Sequence, residues 1–107
     1  MKTIEHNKLV RDNIPAIITA NGDKCETLKV KDAGSLKILL QCKLIEETAE
    51  FIESKEKEEI ADIVEVAYAL ANAYGVSSDE IDAIRKKKKE KLGGFDGAVY
   101  LVRAENN

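Results

Sequence analysis

The chain has 107 residues, a length typical of a single domain, and its net charge at neutral pH is −3. This charge argues against a general nucleic-acid-binding surface, which needs an excess of positive side chains. Hydrophobic residues make up 44% of the chain, yet no apolar run reaches about 18 residues, so we expect no transmembrane helix and no membrane partner.

The first third of the chain predicts a short helix and a weak strand. Residues 7–22 begin extended and continue as a helix that Asp12 or Asn13 could cap, with a proline in its first turn. An Asn-Gly pair ends it. In residues 24–31, apolar and polar side chains alternate over a short distance, which predicts a strand.

A long helix is predicted from Leu36 to Ser54, with Ser35 as a candidate N-cap. Its apolar stripe recurs at helical spacing and consists of Leu36, Leu40, Leu44 and Phe51. Three acidic residues lie beside this stripe: Glu46, Glu47 and Glu50. Acids so close to an apolar stripe are unusual for a helix that simply packs against a core.

The next predicted helix, residues 57–74, is apolar nearly all round, so we expect it to be buried on several sides. Glu59 and Asp62 share an arc of about 100° with Ile63, Val66 and Leu70. Both acids should therefore point into packing rather than away from it.

A last helix is predicted at residues 78–92, where Ser77 and Glu80 form a capping box and a Gly-Gly pair follows the end. Residues 95–103 then read as a terminal strand that could pair with residues 24–31. The expected fold is thus mainly α, one domain over residues 1–107, with a small β element.

Four acids stand out because each pair is spaced i, i+3 and so shares a helix face: Glu47 with Glu50, and Glu59 with Asp62. Two packed helices would bring them into one partly buried cluster. Such a cluster requires a counter-charge, most simply Mg²⁺, with Mn²⁺ as an alternative. Exposed acids in surface salt bridges are the ordinary alternative. A di-iron bundle is disfavoured because His6 is the sole histidine.

The residues around these acids resemble the EExxE…ExxD signature of the MazG-like nucleotide pyrophosphohydrolases. Here the signature reads Glu46-Glu47-Thr48-Ala49-Glu50, followed by Glu59-Ile60-Ala61-Asp62. The opening at residues 7–15, NKLVRDNIP, is similar to that of a small phosphoribosyl-ATP pyrophosphohydrolase-like branch, and residues 88–101 resemble the close of the same branch. The resemblance covers essentially the whole chain.

The resemblance implies an all-α NTP pyrophosphatase-like helical bundle, completed by assembly into a homodimer or homotetramer. It also implies a Mg²⁺-dependent enzyme that cleaves a nucleoside triphosphate, or a phosphoribosyl-ATP-like substrate, to the monophosphate and pyrophosphate. The implied metal ligands are Glu47, Glu50, Glu59 and Asp62. The implied phosphate contacts are Lys8, Arg11 and Lys88. The implied catalytic residues are Glu46, Glu47 and Glu50, with Glu46 orienting a ligand or water and the general base left unassigned.

The chain departs from the branch at several basic positions. Leu92 stands where the branch usually has Arg, Asn13 replaces a Lys, and Gly97 and Ala98 replace residues that are often basic. A non-catalytic helical module, which binds metal or nucleotide or serves oligomerisation, therefore remains an alternative to the enzyme. A purely structural bundle is a third interpretation.

We expect a cytoplasmic protein. The start, MKTIEHNKLVRDN, lacks the continuous apolar stretch of a signal peptide. In a reducing compartment Cys25 and Cys42 would remain free thiols, although the sequence alone leaves a disulfide between them open.

Overall fold

The computed structural model describes residues 2–106, which form four helices: α1 Ile14–Ala20, α2 Ala33–Ser54, α3 Lys57–Ala73 and α4 Ser78–Leu92. The mainly α class is thus confirmed. All four helices were predicted from the sequence, and the largest error is at the start of α2, which begins three residues earlier than expected.

The central unit is an antiparallel pair formed by α2 and α3, and α4 packs on α3. Only Lys55 and Glu56 separate α2 from α3, and Lys55 adopts a left-handed backbone with φ of 60°. At the far end of the pair, the amide of Gln41 donates to the Tyr74 hydroxyl at 3.2 Å. The link and this contact fix how α2 and α3 lie against each other.

Two capping residues explain where α2 and α4 begin. The Asp32 carboxylate accepts the Ser35 N–H at 2.8 Å, so Asp32 is the N-cap of α2 and the predicted cap at Ser35 is wrong. Ser77 caps α4 as predicted, and its hydroxyl accepts the Glu80 N–H at 3.1 Å. Asp32 lies three residues before Ser35, and a carboxylate at that position can also serve as an N-cap. The sequence pattern did not distinguish between the two residues.

The predicted small β element is wrong: residues 24–31 and 95–103 form no strand and do not pair. Apart from the half-buried Val30, both segments are exposed, including Leu28, Phe95 and the run from Val99 to Val102. An isolated strand leaves its backbone groups unpaired, so alternation over a few residues cannot hold one without a partner.

The hydrophobic core of the described chain is sparse. Leu40 and Val66 are its only buried apolar side chains, and each is still 8% exposed. Ile60 and Val64 on α3 are nearly half exposed, so the prediction that this helix is buried on several sides is wrong for the single chain. The radius of gyration is 18.5 Å, well above the value of about 13 Å for a compact domain of this length.

Within residues 2–106, no helix combines the length and the apolar character needed to cross a membrane.

Candidate metal centre

The α2–α3 pair brings the predicted acids together in two groups that share Glu47. In the first group, carboxylate oxygens of Glu46, Glu47 and Glu50 all lie within 4.8 Å of one another. In the second, oxygens of Glu47, Glu59 and Asp62 do the same across the two helices. The i, i+3 spacing on each helix and the antiparallel packing place these side chains at one junction.

Glu47 lies at the centre of this junction and is 6% exposed, the only buried charged residue in the described part of the chain. Its Oε1 forms an ion pair with the Lys43 ammonium at 3.2 Å. Its Oε2 is buried and has no hydrogen-bond partner among residues 2–106. Leaving such an oxygen unmatched costs on the order of 1–3 kcal/mol, so this atom is a natural ligand for a cation.

The neighbouring acids repel one another. The pKa of Glu50 is raised by partial burial and by the neighbouring negative charge of Glu47. Partial burial also raises the pKa of Glu59, and the charges of Asp62 and Glu47 add to the effect. Both shifts arise from burial of the carboxylates together with the negative charge of their neighbours.

Lys43 partly neutralises one side of the cluster, a role that the sequence analysis missed. Its ammonium lies 3.2 Å from Glu46 Oε2 and 3.2 Å from Glu47 Oε1. Burial by itself would lower the pKa of Lys43, but the hydrogen bonds to the two glutamates outweigh it, so the pKa is raised. The i, i+3 and i, i+4 spacing of Lys43 from these acids was the available signal.

Two predicted phosphate contacts, Lys8 and Arg11, also reach the cluster. The Lys8 ammonium lies 3.0 Å from Glu46 Oε1, and Arg11 Nη2 lies 2.6 Å from Asp62 Oδ1. Although burial alone would raise the pKa of Glu46, its bonds to Lys8 and Lys43 lower it. In the structure, both cations thus pair with the acids themselves.

Lys88, the third predicted phosphate contact, lies elsewhere. It lines an open groove at the end of α4, together with Arg85, Leu92 and Phe95 among others. The lining includes none of the five clustered acids and none of their three basic partners. Within one chain, the structure therefore does not bring Lys88 to the acids.

The donor set fits a hard divalent cation. All candidate ligands are carboxylate oxygens, which Mg²⁺ and Mn²⁺ prefer, and one of them is buried without a partner. Glu47, Glu50, Glu59 and Asp62 would hold the ion, while Glu46 is already engaged by two lysines.

The fold and the site define a class of protein: a helical protein that holds a cluster of acids between two antiparallel helices. The sequence places it more narrowly, because a model of the MazG-like family matches residues 33–98, more than half of the chain. The protein therefore belongs to the MazG-like family. Searches of curated proteins and of solved structures found no significant match. Family membership favours a nucleotide pyrophosphohydrolase-type function.

Proposed function

We propose that the protein is a Mg²⁺-dependent nucleotide pyrophosphohydrolase that converts a nucleoside triphosphate, or a phosphoribosyl-ATP-like substrate, and water to the monophosphate and pyrophosphate. The observation that carries this proposal is the buried Glu47 carboxylate, which has one unpartnered oxygen where two groups of acids meet in a MazG-like chain. Mn²⁺ could replace Mg²⁺ because it accepts the same oxygen ligands.

The residues of the centre have different proposed roles. Glu47, Glu50, Glu59 and Asp62 would hold the ion, which would supply positive charge to neutralise the polyphosphate and polarise the phosphorus under attack. One of these carboxylates takes the proton from the attacking water, which adds to the α-phosphorus as the bond to the bridging oxygen breaks. The pyrophosphate leaves with that oxygen.

Lys8 and Arg11 would contact the phosphates, since both reach the edge of the acidic cluster. Arg11 can bind two phosphate oxygens at once through its planar guanidinium, whereas Lys8 supplies a single point of charge. Glu46, held by Lys8 and Lys43, would orient a water or a ligand rather than bind the ion.

A second candidate is a non-catalytic module that binds metal or nucleotide. It is favoured by the position of Lys88 in a groove apart from the acids and by Leu92, an exposed apolar residue where the related branch usually has Arg. Both candidates predict ligand binding, but only the enzyme releases pyrophosphate.

We also propose that the chain assembles with copies of itself, as a homodimer or homotetramer. Ile38, Ile45 and Ile52 recur every seventh residue along α2 and are all exposed. Burying such a stripe needs a partner, and the sparse core and large radius of gyration give the single chain little to bury it with. A second copy offers an identical stripe for a self-complementary contact.

A reducing compartment such as the cytoplasm suits both the substrate class and the two free, exposed cysteines, Cys25 and Cys42.

The test is pyrophosphate release from a panel of standard and modified nucleoside triphosphates and phosphoribosyl-ATP, with and without Mg²⁺. We expect Glu50→Gln and Asp62→Asn to lose turnover while keeping the helical fold, because each removes one carboxylate from the centre. Glu53→Gln is the matched control, since Glu53 is an exposed acid on the same helix. Full activity in either site variant would refute the assignment, and silence across the panel from a folded, metal-binding protein would favour the module.

A further inference from the structure

Residues 7–13, which precede α1, contact both groups of acids, and we call them the N-terminal arm. Lys8 pairs with Glu46 on α2, and Arg11 pairs with Asp62 on α3. Each group of three carboxylates therefore has one member already bound by a cation of the arm.

The backbone of the arm is held on either side of these contacts. Leu9 is half-buried and lines a small cavity with Leu39 and Cys42 of α2. The Arg11 carbonyl accepts the Ile14 N–H at 3.0 Å, which ties the arm to the start of α1. The side chain of Arg11, by contrast, is 55% exposed, so it can move without displacing the arm.

We propose that Arg11 is an internal counter-ion of the metal centre, which Asp62 holds in the absence of metal and releases to the substrate's phosphates when metal binds. The proposal rests on the metal site proposed above. A divalent ion bound by Asp62 would lie within a few ångströms of the guanidinium, and like charges so close repel strongly even in a partly aqueous site. The same repulsion is relieved once the guanidinium turns to an anionic phosphate.

Metal binding and polyphosphate binding are then coupled through one side chain. Metal at Asp62 makes Arg11 available, and phosphate held by Arg11 frees Asp62 for metal. Because coupling between two ligands is reciprocal, each should raise the affinity for the other by the same factor. Arg11 is a positioning residue for the metal in this scheme and a binding residue for the phosphate.

An ordinary supporting role for Arg11 predicts the opposite sign. A carboxylate has two oxygens and can bind a metal with one while accepting a hydrogen bond on the other. If Arg11 steadied Asp62 in this way, its removal would weaken metal binding, as loss of such outer partners does. The direction of the change therefore separates the two roles.

The experiment measures Mn²⁺ affinity of the full chain without nucleotide, by calorimetry, for wild type, Arg11→Gln and the control Arg103→Gln. Arg103 is exposed and makes no ion pair in the described part of the chain, so its variant removes the same charge elsewhere. An Arg11→Lys variant keeps the positive charge at this position, so it separates loss of the charge from a folding defect caused by replacing Arg11. A Mg²⁺ titration of wild type, followed through the Arg11 Nε–H signal in NMR spectra, observes the side chain directly.

We expect Arg11→Gln to bind Mn²⁺ about two- to fivefold more tightly, which is the range set by an exposed ion pair. Arg103→Gln should match wild type, and the Arg11 signal should shift as Mg²⁺ binds. Unchanged or weaker binding by Arg11→Gln overturns this inference and leaves the metal centre standing. Absence of Mn²⁺ binding in every variant and in wild type overturns the metal centre, and the inference with it.

Discussion

The two faces of α2 invert the usual arrangement of a surface helix. Glu47, on the face that meets α3, is 6% exposed, whereas Ile45, two residues earlier and about 200° round the helix, is 70% exposed. An amphipathic helix normally buries its apolar residues and exposes its acids. We call these surfaces the inner face, centred on Glu47, and the outer face, formed by Ile38, Cys42, Ile45, Ala49 and Ile52.

Within residues 2–106, each face carries a feature that an ordinary amphipathic helix avoids. In the described part of the chain, the inner face has a buried carboxylate oxygen without a hydrogen-bond partner, which supports the proposed cation site. The outer face has exposed isoleucines, which support the proposed self-association. A buried charge and an exposed apolar stripe are each costly alone, so their occurrence on one helix favours the two proposed binding events, a cation on the inner face and a second copy of the chain on the outer face.

The largest expected effect comes from removing the buried charge of the inner face. Glu47→Met replaces the carboxylate with an apolar side chain of similar length. Metal-dependent turnover should fall by at least about 100-fold, because both groups of acids lose their shared member. Without metal, the free energy of unfolding should rise by about 1 kcal/mol, since an incompletely paired buried charge is removed and Lys43 keeps Glu46. Pyrophosphate release and urea denaturation measure the two effects.

Glu53→Met is the control for this change, because it makes the same substitution at an exposed site on the same helix. It should leave turnover intact and shift stability by no more than about 0.5 kcal/mol. A Glu47→Met protein that still turns over substrate would show that the inner face is not the centre.

The next largest effect is expected on the outer face. Ile45→Glu places a charge in the middle of the isoleucine stripe and should weaken self-association by about 30-fold, equivalent to about 2 kcal/mol. Sedimentation velocity over a range of concentrations measures this. Leu28→Glu, which changes an exposed apolar residue outside α2, should assemble as wild type does.

The two cysteines provide an independent measure of the same surface. Cys42 lies on the outer face, whereas Cys25 lies in the segment between α1 and α2, and both are exposed in the single chain. Alkylation of Cys42, measured relative to that of Cys25, should slow as the protein concentration rises and the chain assembles, and Ile45→Glu should remove this dependence on concentration. A ratio of rates that does not change with concentration in wild type would place the interface elsewhere.

The smallest effect comes from a site on neither face. Ser77→Ala removes the N-cap of α4 and should cost about 1 kcal/mol, which lowers the melting temperature by roughly 4–8 °C. Metal affinity and assembly should stay unchanged. Ser78→Ala, one residue into the helix, is the matched control and should cost little because alanine favours helices. A change in metal affinity on loss of the Ser77 cap would mean that α4 helps to hold the acids.

The sequence predicted the helices well because their signals are local. Periodicity, the Ser77 cap and the glycine stops each act within a turn or two of helix. The i, i+3 spacing also predicted which acids share a face, and α2–α3 packing brings them together.

Contacts between distant segments could not be predicted in the same way. The pairing of Arg11 with Asp62 spans 51 positions in the chain, and no local pattern specifies it. The two predicted strands failed for a related reason, since a strand depends on a partner that local alternation cannot provide. The contact of Lys43 with Glu47 could have been predicted from their i, i+4 spacing. It was missed because a lysine on a helix ordinarily faces solvent.

The link between α2 and α3 has a consequence for how this sequence can change over time. Loops usually tolerate insertions and deletions better than any other part of a fold. Here the two-residue link, with its left-handed Lys55, sets the register between Glu50 on one helix and Glu59 on the other. One added residue, if absorbed into α3, would turn that helix by about 100° and carry its acids away from Glu47. In this protein an exposed link is therefore constrained in length.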